Sequence, residues 1–369
     1  MVANINFTAA QNVREAPPSE RGLIMTKEMQ KAYLIQILED IVNIPSPSGY
    51  TEAVMDYLTK EARAMGYFVE RNHKGGMIIT VPGKSEEVLG LGAHADTLGA
   101  MVRSVNKNGY LKIFPVGGYM MSTIEGEYCK IHCRRNGKTY TGTVLTSMPS
   151  VHVYDDCRTQ ERTAANMEVR IDEIVGNDQE VFALGIGAGD FVSFEPRFEH
   201  TSSGFIKSRH LDDKASVAVL MTLLKEMHET GQQPEKTLKI MFTNYEEIGH
   251  GASFIPDDIT EFLAVDMGAV GDDLTGDETK VSICAMDSSG PYDYEMTNRL
   301  IKLAEERNIG YAVDIFPHYG SDVSAALRGG NNIRGALIGQ GVHASHGMER
   351  THEQGLLNTL ELIKGFVGL

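Results

Sequence analysis

The stretch Val88–Thr97, which reads VLGLGAHADT, limits the fold more than any other part of the chain. Four to eight apolar residues closed by glycine and polar residues read as a buried strand, and in an open α/β sheet ligands sit at the carboxyl ends of such strands. His94 and Asp96 therefore fall at a strand tip. Side chains alternate along a strand, so these two point to one side while Ala95 points away. One can bind a metal while the other supports it, because a metal-bound imidazole usually gives its second N–H to a carboxylate or a carbonyl. Taken alone, the pair is also an ordinary polar strand terminator.

The chain around this run alternates between helix and strand patterns. Apolar residues at helical spacing predict a helix over 27–42, broken by Pro45 to Gly49, and a second over 51–65 with Thr51 as its cap. Strands are expected at 68–71, 76–81 and 88–93. Beyond Gly99 come short runs without helical period, at 111–114, 127–132, 138–145, 168–174 and 190–194, the texture of a small β-barrel or sandwich. Helical pattern returns at 214–229; strands at 238–244, 262–265, 281–285, 311–316 and 335–338 then accompany helices at 294–308, 321–328 and 353–367. The expected fold class is α/β, a mostly parallel sheet flanked by helices, with an inserted small β-barrel or sandwich domain. Residues 1–99 and 199–369 would form the α/β domain, 1–24 being a loose extension, and 100–198 the insertion; a chain of 369 residues is long for one core.

Charge and cysteine usage exclude several function classes. The net charge of −16 argues against nucleic acid, whose phosphates need a basic surface. No run of eighteen apolar residues occurs, so no membrane span is expected, and the first 24 residues lack the apolar core of a signal peptide. Met25 is an alternative start. Four scattered cysteines are too few for a disulfide framework, which fits a reducing cytoplasm. Cys129, His132 and Cys133 could form a zinc clip but lack a second ligand pair, and strand packing is the plainer reading.

More strand tips and turns deliver groups able to bind metal. His210-Leu-Asp212-Asp213 precedes a helix, where Asp213 could simply cap it, yet Asp212 has two oxygens and could bridge two cations. The strand over 238–244 runs into Glu246 and Glu247, which in extended chain face opposite ways, so that one can ligate while the other stays free as a base. Asp266 ends the strand at 262–265, and His343 and His346 follow the strand at 335–338. Each is ordinary alone. Five such places converging on one sheet edge are improbable as decoration.

These motifs, in this order and with the β insertion between the first two, resemble peptidase family M42, the glutamyl aminopeptidase and TET-type group. The likeness covers nearly everything after Met25. It implies an aminopeptidase acting on peptides with a free N-terminus. It also implies two divalent cations, Zn2+ or Co2+ with Mn2+ possible, bound by His94, Asp212, Glu247, Asp266 and a late histidine, Asp212 bridging. Glu246 would be the general base acting on a water held between the cations, and Asp96 would orient His94. A cis bond between Asp212 and Asp213 is implied too, as is assembly through the insertion into homo-oligomers from dimers to dodecamers. Two departures stand out: Thr97 and Leu98 where the family often has Glu and Ile, and Val-His-Ala-Ser-His for the usual Tyr-Ile-His-Ser. Counting to the last helix favours His343, with His346 the alternative. Ser321-Asp322 resembles a family turn beside the substrate pocket, and Ser321 is also a sensible helix cap. An N-acyl amino acid deacylase of related fold and a non-catalytic scaffold are the rival readings; Glu246 speaks against the scaffold, which needs no base.

Overall fold

The computed structural model describes residues 25–369, so the expected extension at 1–24 lies outside the described residues. Four neighbouring strands, Lys236–Thr243, Ser85–His94, Ile259–Val265 and Arg334–Val342, are mutually parallel and form the centre of the main sheet. Met77–Val81 and Phe68–Arg71 extend one side antiparallel, and Val281–Asp287 extends the other, also antiparallel. The sheet is thus mixed, parallel at its centre and antiparallel at both flanks. Tyr311–Phe316 returns to parallel beside Val281–Asp287 after the helix Tyr294–Glu306.

Alternation divides the strands between two apolar layers. In Ile259–Val265, Leu263 and Val265 join the larger cluster with helices Lys27–Val42, Leu211–Thr230 and Glu353–Val367, whereas Phe262 and Ala264 join the smaller one around helix Asp322–Arg328. The run around Leu89 uses this rule sharply. Leu89, Leu91 and Ala93 face the larger cluster. Gly90 and Gly92 face the Phe262 ring, which would stand 2.6 and 2.5 Å from a Cβ added at those positions. Both glycines are thus required by the close approach of a buried ring.

Six strands, Gly99–Val105, Leu111–Val116, Tyr128–His132, Thr139–Thr146, Met167–Ile171 and Phe191–Phe194, close into a barrel around Val102, Ile113, Ile131, Val169 and Val192. It also carries helix Asp178–Leu184, unforeseen from the sequence, with the Asn177 side chain capping Glu180 N. Cys129 packs in the barrel core and Cys133 donates to the Gly185 carbonyl, so these cysteines follow the packing reading. A third, three-stranded sheet joins Glu199–His200, Phe205–Ser208 and Glu349–His352. Strands this short carry no readable period. Among the described residues no helix is long and apolar enough to cross a membrane.

Candidate metal centre

Because the four central strands run parallel, their carboxyl ends share one edge. His94 closes its strand opposite Thr243, and Val265, just before Asp266, lies opposite Ile338. Tyr245, at φ 74°, turns the chain so that Glu246 and Glu247 cross the rim. Asp212 arrives from outside the sheet, in the first turn of Leu211–Thr230, where its own backbone angles are non-helical and the Asp212–Asp213 bond is cis. His346 comes from the loop after Val342, in which Ala344 and His346 both have positive φ.

Asp212 is the centre of the cluster. Its Oδ1 lies 3.1 Å from His94 Nε2 and its Oδ2 lies 3.4 Å from His346 Nε2. Glu247 Oε2 is 3.5 Å from His346 Nε2, and Glu246 Oε2 is 3.6 Å from His94 Nε2. Asp213 Oδ2 accepts the His94 N–H at 3.2 Å, so Asp213 does not cap the helix. Single atoms of His94, Asp212 and Glu247, and likewise of His94, Asp213 and Asp266, lie within 4.8 Å of one another, the spacing of groups able to hold a cation.

Two sequence expectations are corrected here. The late histidine brought to the cluster is His346; His343 is exposed, and its backbone remains paired with Arg350 at 2.8 and 3.1 Å. Extended pairing continues one residue past Val342, and only the turn at Ala344 sends a side chain inward. Secondly, the group that orients His94 is the backbone carbonyl of Asp96, 2.9 Å from Nδ1, while the Asp96 carboxylate stands 3.8 Å away. That carboxylate instead accepts Ser48 Oγ at 2.5 Å and the N–H groups of Glu246 and Glu247 at 3.2 and 3.3 Å. It fixes the turn that carries both glutamates.

Electrostatics single out the rim. Burial and the surrounding acids push Glu246, Glu247 and Asp213 well above the usual carboxylate range, and burial with the Asp212 charge raises Asp266 to about 7. Burial would raise Asp212 as well, but hydrogen bonds from His346 and His94 outweigh it and hold this carboxyl low. Glu247 Oε1 and Asp213 Oδ1 are buried without a hydrogen-bond partner among the described residues. Orphaned carboxylate oxygens are costly in a low-dielectric interior, and bound cations would satisfy them. The donors, imidazole nitrogen with carboxylate oxygen, fit divalent transition metals.

Beside the cluster opens a cavity of about 540 Å³, lined in part by Glu246, Met267, Phe316, Tyr319, Ser321 and His346. Its volume is that of small-ligand sites. Ser321 caps the helix Asp322–Arg328, and Asp322 accepts Thr243 Oγ1 at 2.5 Å and Ala252 N at 2.7 Å, tying the Glu247 loop to the sheet. Sequence reasoning missed Ser48, Ser345 and Glu349. Ser345 Oγ is 3.3 Å from Asp212 Oδ2, and Glu349 accepts from the backbone of Asp212. Adjacency to His346 could have suggested the first; no local signal marks the other two.

Comparison with known proteins identifies the family. Residues 75–362 match the family model described as M42 glutamyl aminopeptidase. Bacillus subtilis (strain 168) YhfE, named as a candidate aminopeptidase, is 49% identical over 90% of this chain and 96% of its own length. The glutamyl aminopeptidase of Lactococcus lactis subsp. cremoris (strain MG1363) is 25% identical over 67% of this chain and 70% of its own. Among solved structures, the Pyrococcus horikoshii TET1 peptidase, described as assembling into a tetrahedron or a large octahedral shell, superposes with a TM-score of 0.80. It shares 22% identity, with 90% of this chain and 99% of that one covered, and supports the fold. With a family match over residues 75–362 and a relative 49% identical over 90% of this chain, the protein belongs to the M42 glutamyl aminopeptidase family.

Proposed function

We propose that this M42 aminopeptidase releases the N-terminal residue of peptides with two divalent cations held at the rim of the sheet. His94, Asp212 and Asp266 would hold one cation, and Asp212, Glu247 and His346 the other, with Zn2+, Co2+ or Mn2+ suited to these donors. One observation carries the reading: the two oxygens of Asp212 face two different imidazoles, at 3.1 and 3.4 Å, among buried carboxylates that no lysine or arginine of the described residues pairs with. When bound, such a pair brings the pKa of water towards neutrality and stabilises the charge developing on the substrate carbonyl oxygen.

The remaining chemistry falls to the protein. Glu246, whose side chain is 14% exposed and sits beside His94, takes the proton of the attacking water and delivers it to the leaving amine. Burial raises its proton affinity, which suits a group that must both accept and return a proton. Asp96 holds the Glu246–Glu247 turn, and the adjoining cavity receives the substrate's first side chain. We further place the barrel, residues 100–198, as the surface of homo-oligomer assembly, which its exposed Met120, Tyr128, Val153 and Ile174 support. Four free, buried cysteines support a cytoplasmic setting.

The test is a panel of aminoacyl p-nitroanilides and dipeptides, each offered with a free and with an acetylated amine. Cleavage confined to free-amine substrates and abolished by chelation is the expected result. Preference for acetylated substrates would instead make the protein a deacylase, and full activity after exhaustive chelation would remove the cations from the mechanism.

A further inference from the structure

Asp212 and His346 both lie on backbone that no regular ladder holds. His346 has φ 61° in a loop, and Asp212 has φ −79° and ψ 103° in a helical first turn. Their chains run side by side just short of the site, where Phe205–Ser208 pairs antiparallel with Glu349–His352 and Ser208 lies opposite Glu349. Beyond that pair the ladder stops. What continues the connection is the Glu349 side chain, which is 2% exposed. Its Oε2 accepts the Asp212 N–H at 3.1 Å and its Oε1 accepts the His346 N–H at 3.0 Å.

We infer that Glu349 is a positioning residue, one carboxylate gripping the backbones of Asp212 and His346 so that their side chains present a fixed gap to a cation. The inference rests on the two-cation reading above. Each oxygen satisfies one N–H, and neither competes for the imidazole or for the Asp212 oxygens. Ser345 differs, since its hydroxyl contacts Asp212 Oδ2, the atom facing His346. Arg209 differs as well: it donates to the Gly347 carbonyl at 3.2 Å and to the Thr123 carbonyl and pairs with Glu127 at 3.1 Å, tying the loop to the inserted segment. A carboxylate is required at 349 because two donors converge on it. Glutamine would set an NH2 against one of those N–H groups and leave that donor buried without an acceptor.

Groups that orient ligands from behind typically change metal affinity or activity by about 10–100-fold when altered. Co2+ titration of the metal-free full-length chain, followed by visible absorption, reads this directly for wild type, Glu349→Gln and Glu349→Asp, with thermal unfolding of each metal-free protein alongside. Glu349→Gln should weaken cobalt binding by about 10–100-fold, most at the position that takes both Asp212 and His346, alter the cobalt absorption band, and lower kcat with little change in KM. Glu349→Asp keeps both oxygens on a shorter stem and should fall between. A merely structural glutamate would lower the unfolding temperature and leave the cobalt midpoints and band unchanged; that result in Glu349→Gln overturns the inference. Should Glu349→Gln fail to fold, Glu349→Asp is judged by the same criteria: a shifted midpoint supports the clamp, an unshifted one overturns it. Wild type binding no cobalt would sink the two-cation reading and the clamp with it, an outcome distinct from a wild type that binds and a variant that matches it.

Discussion

Away from the rim, buried glutamates meet cations of the protein itself. Glu226 lies 2.8 Å from Lys364, Glu261 lies 3.1 Å from Arg299, Glu127 lies 2.9 Å from Arg197, and Glu168 lies 2.7 Å from Lys112. At the rim, Asp212, Asp213, Glu246, Glu247 and Asp266 crowd together, and among the described residues two imidazoles but no lysine or arginine pair with them. Lysines are close by but are spent on the backbone. Lys214, which burial pushes down to about 7, donates to the carbonyls of Ile41 and Ile44, and Lys74 donates to the Gly251 carbonyl. The interior is the same low-dielectric medium in both regions. The difference teaches that, among the described residues, this chain meets its buried structural acids with its own cations or, as at Asp287 and Asp314, with N–H and O–H donors, and leaves rim oxygens such as Glu247 Oε1 and Asp213 Oδ1 with neither.

That contrast breaks most visibly in catalysis. Glu246→Gln should lower kcat by about 10²–10⁴, the contribution of a general base, while cation content by elemental analysis stays at the wild-type level. Near-wild-type turnover would free Glu246 from the role. Next comes the paired region. Lys364→Met strands Glu226 and should cost about 3 kcal/mol of stability, measured by denaturant unfolding and unaffected by chelator. Chelation itself should act only on the rim: a ligand at a hundred times its Kd adds about 2.7 kcal/mol, so removing the cations should lower the unfolding temperature, and Zn2+ or Co2+ should restore it. Asp96→Asn, which disturbs the turn bearing Glu246 and Glu247, should reduce activity by about 10–100-fold. Smallest of all, His343→Ala should shift stability by less than about 0.5 kcal/mol and leave cation content unchanged, whereas His346→Ala should lose cation. A His343→Ala protein depleted of metal would reverse the assignment of the last ligand.

How much of this was legible in sequence depends on how local each placement is. His94 and Asp266 sit at or just past strand ends, where periodicity points, whereas Glu246 and Glu247 lie in a turn beyond Thr243, not in the extended chain expected of them. Choosing between His343 and His346 needs the positive φ at Ala344, which the local pattern around an alanine does not reveal. Glu349 meets Asp212 across 137 residues of chain, and Ser48 meets Asp96 through a turn closed by Pro47 pairing with Thr97. Contacts of that kind exist only once the fold does. The parallel centre of the main sheet was readable from its alternation with helices, but the short sheet that joins Ser208 to Glu349 was too brief to signal itself. The barrel helix Asp178–Leu184 had a missed cue, since Asn177 followed three residues later by Glu180 is a capping pattern.

The most direct measurement is the number of divalent cations bound per chain at equilibrium, by dialysis and elemental analysis, for wild type and for Asp212→Asn. The account predicts two for wild type and, because one carboxylate serves both positions, loss at both when Asp212 is changed. A wild type that retains no cation yet cleaves free-amine peptides at full rate would contradict it.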